Sequence, residues 1–267
     1  MALLIAMPSL MLPDVGPDTT QIVVLVGILA FLLTFVEYFS EYPSIVEFRF
    51  AGPFNRLRFF ALFSMVLVLS LICAGKTEPT QLSELATKVG TLLGKAIDFP
   101  YSPVRLIVLM MPEDSTAEVL STVRTAAGIT YMVSLIVLFV FVSMVRLFGW
   151  PTRQGAFNVW INLPLFDPTA GGDVLARLKR DAGLNIVLGI LLPFLIPAVV
   201  KAAADLIDPI TMDNPQTLIW TMSAWAFLPA SMIMRGIAMS RVADLIEEKR
   251  MRAYAEAKAE GEELQAV

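Results

Sequence analysis

The chain contains no histidine. That absence removes haem or chlorophyll ligation through imidazole, His-based zinc sites and His general bases. Cysteine is nearly absent too: Cys73 is the one thiol among 267 residues. No internal disulfide and no cysteine-held iron–sulfur cluster can form from it. It sits in Leu71-Ile72-Cys73-Ala74 and reads as a small buried hydrophobe. Charge is scarce. Asp, Glu, Lys and Arg make up 16% of the chain, where a soluble domain carries about 25%. The net charge of −4 and the scattered basic residues lack the clustered basic face of a nucleic-acid binder. Enzyme signatures are missing: there is no HExxH, GxSxG, GxGxxG or P-loop lysine motif. The expectation is therefore no catalytic residue, no cofactor and no metal site.

What is present is apolar. Hydrophobic residues reach 57% and the mean hydropathy is +0.71. Five apolar blocks, near 21–39, 59–75, 126–150, 184–204 and 217–238, approach the ~20 residues that cross a ~30 Å hydrocarbon core as a helix. Backbone polar groups must be satisfied internally in lipid, which leaves helix as the state for such runs. The predicted fold is an all-α polytopic membrane protein. It has about five transmembrane helices, an amphipathic surface helix and a small cytoplasmic β-ribbon. Residues 1–20 form an external N-terminal segment, 21–240 the transmembrane domain with an external loop at 76–125, and 241–267 a cytoplasmic helical tail.

The N-terminal stretch 1–12 is apolar but has no basic residue, unlike a cleavable signal. Pro8, Pro13 and Pro17 predict an extended or short interfacial segment there. Orientation follows from Lys and Arg. Arg49, Arg56 and Arg58 lie between the first two spans; Arg146, Arg153, Arg177, Lys179 and Arg180 follow the third; Arg241, Lys249, Arg250, Arg252 and Lys258 follow the fifth. This puts the N-terminus outside and the C-terminus in the cytoplasm, in a membrane of bacterial inner-membrane type. The mixed charges of loop 76–125 weaken that pattern.

Within that loop Thr80 can cap a helix to about Ile97. Its apolar positions Leu82, Leu85, Val89, Leu92, Leu93 and Ala96 share one face. The face can lie on the outer membrane surface or on the protein's own spans. Segment 101–112, bracketed by Pro103 and Pro112, is too short to span and reads as re-entrant or interfacial. Ser115-Thr116-Ala117-Glu118 reads as a capping box opening a helix of some 35 residues, ~50 Å long. Val46, Phe48 and Phe50 alternate with Glu47 and Arg49, and Phe157, Val159, Ile161 and Leu163 alternate likewise. Both stretches fall on one side of the membrane and predict the β-ribbon.

Charges near span ends are the candidate functional groups: Glu37, Arg146, Lys201 and Arg235. Snorkelling explains the three basic ones simply; Glu37 ends an otherwise uncharged run. Small-residue spacings mark candidate helix-packing positions at Asn185/Gly189, Ala198/Ala202, Ala226/Ala230 and Gly236/Ser240. Pro193, Pro197 and Pro229 are candidate helix breaks. They bend a helix to fit its neighbours or, less simply, open a substrate site. Together these features predict a non-catalytic membrane accessory, scaffold or assembly protein. Its partners are the lipid bilayer and other membrane proteins or a second copy, with no nucleic acid. The alternative is a small oligomeric transporter or channel.

Overall fold

The computed structural model describes residues 1–13, 15–151, 162–166, 172–203 and 212–265, with side chains as far as 258. Among the described residues eight helices follow in order: α1 (Ala2–Met11), α2 (Pro17–Phe39), α3 (Phe54–Ala74), α4 (Gln81–Ile97), α5 (Pro103–Met110), α6 (Ala117–Leu147), α7 (Val174–Ala203) and α8 (Pro215–Gln265). Five of them, α2, α3, α6, α7 and α8, are long and apolar enough to cross a bilayer. This marks the chain as an integral membrane protein of the helical type.

The spans alternate between two ends. At one end the Phe48 N–H donates to Asn162 O at 2.6 Å, and the Trp150 indole donates to Ala51 O at 3.2 Å. Residues 48–51 therefore meet Trp150 and Asn162, and Arg49 with the span-end residues Arg56, Arg58, Arg146, Arg177 and Arg180 makes this the basic end. At the far end Lys76 bonds Glu118 and Thr122, and Gln216 bonds Ser9.

Two expectations need correction here. Residues 47–50 are a turn, not a strand, and no strand occurs among the described residues. Phe48 takes a left-handed backbone with φ 53°, which no ladder accommodates. Of its expected partner stretch only Asn162 and Leu163 are described; 157–161 lie outside the described residues. The second correction is α1. Residues 2–11 are helical with Pro8 inside. Proline removes one donor and frees the carbonyl four residues back. So short a helix tolerates this, and Leu12 N–H still closes onto Pro8 O at 2.9 Å. Leu4, Met7 and Pro8 are its buried residues.

Close packing comes from glycine. A Cβ on Gly189 would sit 2.7 Å from Pro229 O, and one on Gly236 would sit 2.7 Å from Ala182 O. The hairpin of α7 and α8 thus runs backbone to backbone. Gly94 and Gly128 do the same for α4 on α6, where a Cβ on Gly128 would meet Gly94 Cα at 2.5 Å. Thr80 caps α4 as expected, in a reciprocal box with Ser83. Thr116, one residue into the expected box, caps the 31-residue α6. Short α5 buries Val104, Ile107 and Met110 against protein.

The prolines of α7 do not divide it; Val174–Ala203 is one helix. Pro197 has no N–H for the Pro193 carbonyl four residues back. The Trp225 indole of α8 takes that carbonyl at 3.2 Å. Helix α8 continues beyond its apolar part without a break, through Gly261 to Gln265. Val242 and Ala243 stay buried there, and Lys179–Glu247 and Arg250–Asp173 pair α8 with the start of α7.

Helix α2 differs from all of these. Only Gly27 and Glu37 are buried on it. It touches α1, whose Ala2 lies 3.8 Å from a Cβ built on Gly27, and no other helix among the described residues.

Candidate functional site

The residues with the least ordinary chemistry gather at the basic end, in the turn 40–53 and the span ends around it. Glu37 occupies the last turn of α2. Its carboxylate accepts the backbone N–H groups of Ser44, Ile45 and Val46 and the Ser44 hydroxyl. A carboxylate collecting successive amides is a strong, geometrically fixed arrangement. Arg49 closes the same turn from the other side. Its guanidinium donates to Glu37 O at 2.7 Å and to Ser40 O, capping the end of α2, where carbonyls lack helix partners and positive charge is favoured.

Ten residues beyond Glu37, Glu47 is buried to 5% exposure. Both its oxygens engage Arg235 of α8, at 2.6 and 2.8 Å. This fork is the strongest ion-pair geometry available to a carboxylate. Its backbone carbonyl accepts from Asn55 Nδ2 at 2.8 Å. Arg58, one turn into α3, donates Nε to Ser231 Oγ of α8 at 2.6 Å and lies over the rings of Phe54 and Phe227. Beneath this polar layer Phe48, Phe54, Phe141 and Trp150 interlock, with Phe48 and Phe54 centroids 4.6 Å apart. Such aromatic contacts add about 0.5–1.5 kcal/mol each beyond burial. The result is a clasp. Glu37 and Arg49 hold the turn to α2, and Glu47 and the aromatic cluster hold it to α3, α6 and α8.

Of the four charges singled out in the sequence, Glu37 and Arg235 meet here through the turn. Arg146 is at the same end but exposed, and borders a separate cleft of about 460 Å³ with Arg241 and Asp244. Lys201 is exposed at the far end. Among the small residues, Gly189, Ala226, Ala230 and Gly236 are buried and Ser240 is half-buried. Ala198 and Ala202 are exposed, so the close packing expected at them would be with a helix of another chain. Spacing fixes that two residues share a face, not which neighbour the face meets. Buried Pro193 and Pro197 lie at the α7–α8 contact, and Pro229 lends its carbonyl to the Gly189 crossing.

Sequence reasoning missed Glu47 and Arg58. Glu47 was one polar residue in an alternating stretch, and Arg58 one of several charges setting orientation. A signal existed: Arg235 stands in an apolar helix with no acid within four residues of it, so a buried partner had to come from elsewhere in the fold.

No protein-family model matches the chain, and no curated protein or solved structure does either.

Proposed function

We propose that this chain is a non-catalytic accessory or assembly protein of a membrane complex. The observation that carries this reading is the isolation of α2: a 23-residue span that meets its own body at α1 around Gly27 and at Glu37, with its outward face bare. The outward residues Leu25, Ile28, Leu32, Phe35 and Phe39 are all exposed and recur at three and four, one stripe along the helix. Phe31, Phe35 and Phe39 stack along it at 6.4 and 5.5 Å. A second membrane protein, or another copy, fits that stripe.

Helix α4 supports the same reading from the far end. It gives Gly90 and Gly94 to α6 and Ser83 to Gly75 at the end of α3, and leaves Leu82, Leu85, Val89 and Leu92 exposed. It crosses α6 beside Arg124, the last charge before an uncharged run to Arg146. That is the level of a bilayer surface, where an exposed apolar stripe enters lipid. The basic end then faces the cytoplasm of a bacterial cell, by the excess of arginine there.

The test is purification from native membranes in mild detergent with the intact mass measured. A partner at fixed ratio, or a defined homo-oligomer, that is lost in the double variant Leu32→Ala/Phe35→Ala supports the proposal. A lone monomer in both wild type and variant overturns it.

A further inference from the structure

Charge at the clasp does not balance. Glu47 spends both oxygens on Arg235. Arg58 is a second guanidinium in the same electrostatic neighbourhood, within reach of Glu47, Arg235 and Tyr38. Its one hydrogen-bond partner among the described residues is the neutral Ser231 hydroxyl, and no carboxylate pairs with it there. Asp181 acts on Arg235 as well, at longer range, but no carboxylate is hydrogen-bonded to Arg58, and two of its N–H-bearing nitrogens are unclaimed by the described residues.

The space beside Arg58 has a definite height. Helix α1 fills the far-end half of the gap between α2 and α3, reaching α2 at Gly27. The clasp closes the gap again at Glu37. Among the described residues no helix other than α1 lies against α2, which leaves the stretch from Gly27 to Glu37 without one. Ten residues at 1.5 Å rise make that stretch ~15 Å, half of a ~30 Å hydrocarbon core. On α2 the residues turned toward the body are small or polar, Ala30 and Thr34, both half-buried, so the wall is low. Among the described residues α2 is thus without a neighbouring helix over about the depth of one leaflet, with Arg58, which pairs with no carboxylate, on the basic side of it.

We propose that this slot holds one anionic phospholipid, its phosphate on Arg58 and an acyl chain along α2 between Gly27 and Glu37. Guanidinium and phosphate match as a planar fork and a tetrahedral anion. The aromatic faces of Phe54 and Phe227 keep the guanidinium oriented and partly dry, which strengthens the pair. The proposal rests on the membrane placement of the chain and not on the partner assigned to the outward face of α2. A monomer that still selects the lipid leaves it intact.

The experiment is native mass spectrometry of the purified full chain titrated with phosphatidylglycerol or phosphatidylcholine, with Arg56→Gln as the exposed neighbouring control. The expected result is one phosphatidylglycerol retained at least 10-fold more tightly than phosphatidylcholine. Arg58→Gln should reduce that ratio to near unity, Arg58→Lys should keep part of it, and Arg56→Gln should keep all of it. Equal retention of the two lipids by the wild type overturns the proposal even if no Arg58 variant folds. So does an unchanged preference in a folded Arg58→Gln. Displacement of the bound lipid by millimolar inorganic phosphate overturns the lipid assignment in favour of a free-anion site.

Discussion

Helix α2 and helix α8 are both membrane spans, yet they stand at opposite extremes. The apolar window of α2 has a mean hydropathy of 2.5 and is 11% buried, while that of α8 has 1.3 and is 56% buried. In water the more apolar helix would be the one inside. In a bilayer lipid tails are as apolar as leucine, and helices associate through close packing and polar contacts instead. Helix α8 has those means: Gly236 against α7, Ser231 and Arg235 for Arg58 and Glu47, and Trp225 for a stranded carbonyl. Helix α2 has Glu37 at its end and a loose contact at Gly27. Hydrophobicity placed both in the membrane; small and polar residues decided which one the body holds.

The largest effect on this contrast should come from Glu47→Ala. It leaves Arg235 without its fork in a site where the carboxylate was nearly dry, and removing one partner of a buried pair costs about 3–5 kcal/mol. Unfolding in detergent micelles should register that loss, whereas Leu32→Ala on the free stripe of α2 should change stability by less than about 0.5 kcal/mol. An equal effect of the two would mean that α2 is packed like α8. Next comes Glu37→Gln, which removes the charge from an acceptor of three amides at a cost of about 1.5–3 kcal/mol. Its signature is local: hydrogen exchange should rise across 40–49 and the last turn of α2, and stay unchanged in α8 above Met234.

The glycines sharpen the comparison further. Gly236→Ala drives a methyl against Ala182 O and Ile186, an overpacking of about 1–3 kcal/mol. Gly27→Ala meets nothing nearer than 3.8 Å and should be neutral in the same unfolding assay. The smallest effect is a pH dependence outside the membrane. The Arg250 hydrogen bond holds the exposed Asp173 carboxyl below its ordinary value of 3.8. Its folded pKa is depressed, so the contact contributes above the ordinary value and fades as pH falls through the lower folded one. Spin labels on α8 near Arg250 and on α7 near Val174 should therefore separate in acid while the clasp stays closed.

The sequence made the five spans, the cap at Thr80 and the continuation of the last helix legible, because each rests on a local pattern. Tertiary demands hid the rest. The alternation of Val46, Phe48 and Phe50 is real. Glu37 draws the amides of 44–46 onto its own carboxylate, and Phe48 turns left-handed into the aromatic cluster, so alternation does not become a strand. Pro8 looked like a breaker, yet α1 is held by Leu4 and Met7 packed beneath its neighbours. Of the small-residue pairs, Ala198/Ala202 had the same spacing as Ala226/Ala230 but faces outward. Glu47 was readable only by asking what Arg235 would need.

The most direct test of the account is a photo-crosslinker placed at Leu32 of α2 and, for comparison, at the equally exposed Leu191 of α7, activated in native membranes. The account predicts one protein adduct of defined mass from Leu32, absent when Phe35 is also changed to Ala, and lipid adducts alone from Leu191. Lipid adducts alone from both positions would contradict it and leave α2 a span with no partner on its outward face.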